Sequence, residues 1–199
     1  MDAGIYLQEI AEQFAKLSLE AVLICNAAAA IQGAPVTTLD FDFLVRQTPY
    51  TLAKLKKFAN ALDLVIYRQV YPAAKLLRAS RDADQLQLDF HARIDGVHSY
   101  ESLRARASAV NFGERPLLVA SLADVIKSKR AAGRPQDLAI LVTLEDTLMP
   151  KSKPSGKRLN LKQQFEFMHI AMFDSWLALP PERRTNFLRK RIGICSSAL

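Results

Sequence analysis

The chain has 199 residues, of which 50% are hydrophobic and 24% are charged, the balance of a folded globular protein rather than a disordered or fibrous one. This length allows one domain with a sizeable core plus a helical appendage. The sequence shows neither a secretory leader pattern nor an apolar run of membrane-spanning length, so we expect a cytoplasmic protein with no membrane partner. Cys25 and Cys195 lack CxxC spacing, which supports neither a disulfide framework nor a zinc site.

The formal net charge of +7 predicts a surface that attracts polyanions such as RNA and nucleotides. Two interpretations of the basic C-terminal quarter stay open, a solvated helix face and a nucleic-acid patch, and the absence of interleaved aromatic residues favours the first. The basic residues concerned are Lys151, Lys153, Lys157, Arg158, Lys162, Arg183, Arg184, Arg189, Lys190 and Arg191.

Hydrophobic spacing predicts alternating helices and strands in the first part of the chain. An amphipathic helix over 5–18 precedes a strand at 21–25, and an alanine-rich helical turn then runs from Asn26 to Gly33. The strand predicted over 38–45 alternates, so Leu39, Phe41 and Phe43 share one face while Asp40 and Asp42 share the other.

Turn and capping residues divide the middle of the chain. Thr48 followed by Pro49 predicts the start of a helix that runs to about Leu62. Strands are expected at 63–67, 74–80 and 85–91, with a hairpin connection at 81–84 between the last two. In the last of these strands Asp89 and His91 lie on the polar face.

A helix near 99–107 and strand pieces within 108–119 complete the predicted sheet. Ser121 caps a helix that ends at Gly133, and Pro135 begins another that runs to about Leu148. We therefore divide the chain into a mixed α/β domain, a linker or loop and a set of basic C-terminal helices, at residues 1–148, 149–158 and 159–199. The C-terminal helices are predicted over 160–178 and 181–191, and the first carries an apolar stripe at helical spacing, Phe165, Met168, Met172, Phe173 and Trp176.

The strongest chemical signal is a set of three carboxylates. Asp40 and Asp42 lie two residues apart on one strand, within reach of a single ion, and Asp89 is a candidate third ligand. Divalent cations such as Mg²⁺ prefer oxygen ligands and stabilise the oxygens exchanged in phosphoryl displacement. On spacing alone, a solvated sheet face explains the same pattern.

Residues 22–45 resemble the signature of the DNA polymerase beta-like nucleotidyltransferase superfamily, which has a strand, a Gly-Gly or Gly-Ser turn, a short helix and then Asp-x-Asp. Asp40, Asp42 and Asp89 match the three acids of that family. Residues 122–140 resemble its downstream helix pair, in which Lys129, Arg134 and Asp137 match. The most similar members are small prokaryotic proteins, including nucleotidyltransferases of abortive-infection and toxin–antitoxin systems, and the resemblance covers about residues 18–145.

The resemblance implies an α/β (α+β) fold, a mixed sheet flanked by helices with a C-terminal helical extension. It implies an enzyme that uses Mg²⁺ or Mn²⁺, held by the three aspartates, to move a nucleoside monophosphate from an NTP to a hydroxyl of RNA, a protein or a small molecule. Asn26, Lys129 and Arg134 would bind the nucleotide phosphates. For Lys129 and Arg134 the alternative is a basic, exposed helix end, and for Asp137 a role in the first turn of its helix.

Three positions depart from the family pattern. The glycine pair falls on Cys25-Asn26, Gln32 replaces a common histidine, and Val36 replaces a common arginine. Glycines there let backbone N–H groups approach the triphosphate. The departures favour an alternative function, a degenerate nucleotidyltransferase-fold binding module or toxin–antitoxin component that contacts an antitoxin-type partner through its basic C-terminal helices.

Overall fold

The computed structural model describes residues 3–38, 40–68 and 76–149. Leu39 and the two predicted C-terminal helices lie outside the described residues, as does the predicted linker except for Met149. No helix in the described part combines the length and the apolar character that crossing a membrane requires.

Helices and strands alternate through the described part, which confirms the predicted mixed α/β class. Each predicted element of this part is present, with ends that differ by a few residues. The elements in chain order are α1 (Ala3–Lys16), β1 (Ala21–Leu23), α2 (Cys25–Ile31), β2 (Phe41–Val45), α3 (Pro49–Ala61), β3 (Val65–Arg68), β4 (Leu76–Arg81), β5 (Leu86–His91), α4 (Tyr100–Arg104), β6 (Ser108–Phe112), β7 (Arg115–Val119), α5 (Leu122–Ala132) and α6 (Pro135–Leu148).

Helix ends follow the capping chemistry in the sequence. The Thr48 hydroxyl accepts a hydrogen bond from the Thr51 amide at 3.0 Å, so α3 begins where the Thr-Pro pair predicted. The Ser121 hydroxyl likewise accepts from the Asp124 amide at 3.1 Å at the start of α5. That helix ends at Gly133, whose φ of +63° is the left-handed conformation that favours glycine.

The strands form one mixed sheet in the order β3-β4-β5-β2-β1-β7-β6. The pairs β2–β5 and β1–β7 are parallel, and the other neighbours are antiparallel. Asp42 on β2 is directly opposite Asp89 on β5. The register therefore brings two of the predicted acids together at the centre of the sheet.

An aromatic cluster packs the opposite face of the same two strands. Phe43 of β2 and Phe90 of β5 stack at 5.8 Å between ring centroids, and Phe14 of α1 and Phe58 of α3 cover them. All four side chains are buried. Because successive strand residues point to opposite faces, this packing directs the carboxylates that precede Phe43 and Phe90 away from the aromatic core.

Candidate active site

The centre of the candidate site is a group of three side chains from β2 and β5. Asp42, Asp89 and His91 each offer a ligand atom, and these atoms all lie within 4.8 Å of one another. His91 Nε2 lies 2.8 Å from Asp42 Oδ1, a hydrogen bond that fixes the imidazole against the carboxylate. The alternation in the sequence predicted that Asp89 and His91 share a face, and the structure places both beside Asp42.

Asp40 lies next to this group but is not one of its members. The strand predicted to start at residue 38 starts at Phe41, so Asp40 occupies a bend just before β2. Its carboxylate accepts hydrogen bonds from the Thr38 hydroxyl at 3.3 Å and from Gln87 Nε2 at 3.2 Å. Burial raises the pKa of Asp40, and the negative charges of Asp42 and Asp89 raise it further.

Arg78 is a site residue that the sequence analysis missed. Its guanidinium donates to both oxygens of Asp89, with Nε–Oδ1 and Nη2–Oδ2 distances of 2.7 and 2.6 Å. The turn lies at 82–85, which pairs Arg81 with Leu86 and hence Arg78 with Asp89. The connection predicted at 81–84 would have placed Leu76 opposite Asp89, so the sequence did not indicate this pair. The side chain of Asp89 is almost fully buried beneath this contact.

The turn between β1 and α2 has the backbone geometry that favours glycine. Cys25 has a φ of +58°, in the left-handed region, at the position where the family resemblance places the first glycine. Burial raises the pKa of the Cys25 thiol, and the nearby Asp42 carboxylate raises it further. The thiol therefore faces the acidic group in its protonated form.

Asn26 does not cap α2, contrary to the expectation that this residue opens the helix. The residue before the helix is Ile24, and no side chain caps the terminus. Asn26 Nδ2 instead donates to the Thr37 carbonyl at 3.0 Å, joining α2 to the segment that leads into β2. Its Oδ1 is buried without a hydrogen-bond partner among the described residues.

Lys129 and Arg134 converge on Asp137 at the junction of α5 and α6. Lys129 Nζ lies 2.9 Å from Asp137 Oδ1, and Arg134 Nε lies 2.6 Å from Asp137 Oδ2. Lys129 is only 7% exposed, so the alternative of an exposed, basic helix end is wrong for this residue. Together with Cys25, both basic residues line one pocket beside the α2 turn.

Gln32 and Val36, the other two departures from the family pattern, have structural positions. Gln32 Nε2 donates to the carbonyls of Ala28 and Ala120 at 2.7 and 2.8 Å, and its Oε1 accepts from the Leu122 amide at 2.8 Å. The side-chain amide of Gln32 therefore joins the end of α2 to the start of α5. Val36 is buried in the hydrophobic core.

Solved structures with this fold include several nucleotidyltransferases at low sequence identity. An antigenic nucleotidyltransferase-like protein from Paracoccidioides brasiliensis is 12% identical, with a TM-score of 0.51 over 98% of this chain and 95% of its own. The antibiotic-resistance factor ANT(2'')-Ia is 13% identical, with a TM-score of 0.53 over 94% of this chain and 100% of its own. The lincosamide antibiotic adenylyltransferase LnuA is 10% identical, with a TM-score of 0.52 over 74% of this chain and 98% of its own.

These likenesses confirm that the chain has a nucleotidyltransferase-type fold, as the resemblance of its motifs predicted. No protein-family profile and no curated protein matches the chain. At identities this low the likeness defines the fold, and a fold by itself does not define an activity. Any assignment of function therefore depends on the side chains at the candidate site.

The donors at the site fit a divalent cation. Mg²⁺ and Mn²⁺ prefer carboxylate oxygens, which Asp42 and Asp89 present close together with Asp40 beside them. Within the described ranges, Arg78 is the cationic side chain of this cluster, and it pairs with Asp89. His91 is hydrogen-bonded to Asp42. Burial is the main cause of the raised pKa of Asp40, and the charges of Asp42 and Asp89 add to it more than that of Arg78 offsets it. A bound cation would relieve this remaining repulsion.

Proposed function

We propose that this chain is a metal-dependent nucleotidyltransferase that moves a nucleoside monophosphate from an NTP to a hydroxyl acceptor. The observation that supports this function best is the convergence of Asp42, Asp89 and His91 within 4.8 Å, beside the left-handed turn at Cys25. If the three groups simply lay on a solvated sheet face, none of the acids would need to be buried. Asp89, however, is only 4% exposed. The nucleotidyltransferase-type fold is a second line of support for this chemistry.

Each group in the site has a role in this proposal. A Mg²⁺ or Mn²⁺ ion held by Asp42 and Asp89 would polarise the phosphate oxygens and offset the charge that develops on them. We assign phosphate binding to Arg134, whose side chain is largely exposed beside the α2 turn, with the buried charge of Lys129 behind it. Asn26 belongs to the same turn and orients the backbone through its bond to Thr37.

The reaction needs a proton acceptor as well as charge stabilisation. The acceptor oxygen forms a bond to the α-phosphorus, the bond from that phosphorus to the leaving pyrophosphate breaks, and the hydroxyl proton must move to a base. Arg78 binds both oxygens of Asp89. Asp40 receives its hydrogen bonds from the neutral groups of Thr38 and Gln87, so we assign the proton-accepting role to Asp40.

Small hydroxylated molecules are the acceptor class to test alongside RNA and protein. Structures of two proteins with this fold contain adenylyl-2''-tobramycin, in ANT(2'')-Ia, and lincomycin, in LnuA. ATP is therefore the first nucleotide to offer. Transfer from α-labelled ATP to tobramycin, lincomycin or bulk RNA, with Mg²⁺ and with Mn²⁺, compares the acceptor classes directly.

The decisive test of the site is a titration with metal and then with ATP. We expect millimolar Mg²⁺ or Mn²⁺ to raise the melting temperature of the wild-type chain and to give a calorimetric binding signal. Asp42→Asn should abolish both responses while leaving the far-ultraviolet circular dichroism unchanged. Asp82→Asn, an exposed aspartate in the β4–β5 turn, is the matched control and should respond like the wild type. Absence of any metal response in the wild type would refute the metal site.

A binding module without transferase activity is the second candidate, and one feature of the structure favours it. Asn26, Lys129 and Asp89 all have partners inside the fold, and the Nε of Arg134 is bonded to Asp137. For this alternative, ATP and metal have no effect, and the chain binds RNA or an antitoxin-type partner through its basic C-terminal segment. Reversal of the charges at 183–191 should then weaken RNA binding and reduce its salt dependence.

A further inference from the structure

Helix α6 has apolar residues on two sides, the side that packs on the domain and a second, exposed side. Leu144 is buried against the rest of the fold, but Leu138, Val142 and Met149 are 48%, 65% and 75% exposed. At about 100° per residue Leu138 and Val142 lie within roughly 40° of each other on the helix, and Met149, the C-cap residue just beyond α6, continues their line. Glu145, ion-paired with Arg130, lies beside this line between Val142 and Met149. We call Leu138, Val142 and Met149 the outer stripe of α6.

An apolar stripe on a second side of a helix indicates that something covers it. A surface helix of a globular domain has one apolar side and an opposite polar side, whereas a helix that is apolar around most of its circumference is usually enclosed. Exposed apolar patches that are rimmed by polar and charged residues, as this one is by Glu145 and Arg130, mark interaction sites. Among the described helices, α6 packs mainly against α5, and that contact leaves the outer stripe uncovered.

The chain itself supplies a segment of matching chemistry a short distance beyond this helix. Residues 160–178 carry apolar residues at helical spacing, including Met168, Met172 and Trp176. Methionine and aromatic side chains adapt well to a groove of aliphatic side chains. The outer stripe ends at Met149, from which residues 150–199 continue.

The connecting residues are long enough for the chain to reverse direction. Ten residues, 150–159, separate Met149 from the predicted helix, and ten extended residues span up to roughly 33 Å. Helix α6, with 14 residues, is about 21 Å long. A returning helix can therefore run along the whole outer stripe.

We propose that the outer stripe of α6 is the docking surface for residues 160–178 of the same chain, which pack on it through the stripe that contains Trp176. A tethered segment of this length has an effective concentration on the order of millimolar at its docking surface, which favours it over a second copy at ordinary protein concentrations. This inference does not depend on the proposed transferase activity, because it involves neither the acidic cluster nor the α2 turn.

The sole tryptophan of the chain makes this proposal measurable in the full-length protein. In Val142→Glu, a charge lies in the middle of the outer stripe, so Trp176 emission should shift to longer wavelength. The acrylamide quenching constant should rise about twofold, since an undocked segment exposes its indole to solvent. Val65→Glu on β3 is the matched control, because Val65 is also exposed, at 56%, and lies on an edge strand of the sheet. It should leave both signals at wild-type values.

A cross-linking experiment identifies the segment that covers the outer stripe of α6. With Cys195 replaced by serine, Val142→Cys is combined in turn with Met168→Cys and Met172→Cys, and mild oxidation should give a disulfide within one chain for at least one of the two pairs. Disulfide-linked dimers, or a dimer in light scattering that Val142→Glu converts to a monomer, would overturn the proposal in favour of a second copy. Unchanged Trp176 emission and quenching in Val142→Glu would overturn it in favour of a separate partner.

Discussion

The guanidinium of Arg78 binds both carboxylate oxygens of Asp89, in two parallel hydrogen bonds of 2.7 and 2.6 Å across strands β4 and β5. Paired bonds of this kind fix the plane of the carboxylate as well as its position. Asp42, by contrast, is bonded to His91, and Asp40 to neutral donors. The three acids of the candidate site therefore have three different kinds of partner, and Asp89, the buried acid, is the one that pairs with the cationic Arg78.

We expect Arg78→Met to destabilise the protein by about 2–3 kcal/mol, because it leaves the buried Asp89 carboxylate without its counter-ion. Urea denaturation of the full chain, followed by circular dichroism, measures the loss. The control is Arg104→Met, whose ion pair with Glu20 has both side chains about half exposed and should contribute about 0.5 kcal/mol or less. Adding Asp89→Asn to Arg78→Met should recover part of the loss. Equal losses of stability in Arg78→Met and Arg104→Met would show that the buried Arg78–Asp89 pair contributes no more to stability than an exposed pair.

Local chemistry made most of the fold predictable. The caps at Thr48 and Ser121 and the stop at Gly133 are properties of a few adjacent residues, and all three lie where the sequence placed them. The adjacency of Asp42 and Asp89 also followed from alternation, once the family resemblance placed their strands together. The features that the sequence predicted well are thus the helix ends and strand faces, which depend on residues that are close together in the chain.

The contacts that the sequence did not predict join residues far apart in the chain. Asn26 bonds to a carbonyl 11 residues away, and Gln32 to groups 88 and 90 residues away. Lys129 lies in a stretch of basic residues that has the composition of a surface, and its burial depends on Asp137 of the next helix. Such partners follow from the packing of α2, α5 and α6, which no local pattern encodes.

The paired acid Asp137 should make stability depend on pH. Burial alone raises the pKa of Asp137, but hydrogen bonds from Lys129 and Arg134 outweigh it and hold the pKa below its ordinary value. A carboxyl with a lowered pKa in the folded state contributes stability above its unfolded pKa of about 3.9, and this contribution is lost as the pH falls through the folded value.

The gap in unfolding free energy between wild type and Asp137→Asn should therefore be largest above about pH 5 and should narrow below about pH 4. Urea denaturation at a series of pH values measures it. For the exposed control Asp82→Asn, the gap from wild type should stay near zero throughout. A gap for Asp137→Asn that does not change with pH would mean that the charge of Asp137 has no part in its effect.

Gln32→Ala should cost about 2 kcal/mol, although Gln32 lies outside the acidic cluster. The substitution removes three hydrogen bonds and leaves the Ala120 carbonyl and the Leu122 amide without this partner where α2 meets α5. The matched control is Gln8→Ala, because the Gln8 side chain makes an exposed bond to Glu12 and should contribute about 0.5 kcal/mol or less. Thermal and urea denaturation of the two variants give the comparison. Equal losses would show that the Gln32 bridge does not stabilise the junction.

The turn at Cys25 allows a comparison in which the usual order of glycine and alanine is reversed. Inside a helix, glycine is less stable than alanine by roughly 0.5–1 kcal/mol. Cys25 has a φ of +58°, where a Cβ atom costs about 1–2 kcal/mol, so we expect Cys25→Gly to be more stable than Cys25→Ala by about 1 kcal/mol. Ala28→Gly, at a buried position of the same helix, is the control and should be less stable than wild type.

The same Cys25→Gly variant tests whether the turn binds phosphate. Removing the side chain gives an NTP closer access to the backbone N–H groups, and one further charge-assisted hydrogen bond of about 1.5–3 kcal/mol would tighten ATP binding about tenfold or more. Asn26 is left unchanged, because its bond to Thr37 holds the turn against the segment before β2 and its loss would confuse the comparison. Calorimetric titration with ATP in Mg²⁺ gives the affinity of both proteins. Tighter binding by Cys25→Gly would mean that the cysteine limits access of the triphosphate to a working turn. Equal affinities would mean that the Cys25 side chain does not limit access of the triphosphate to the turn.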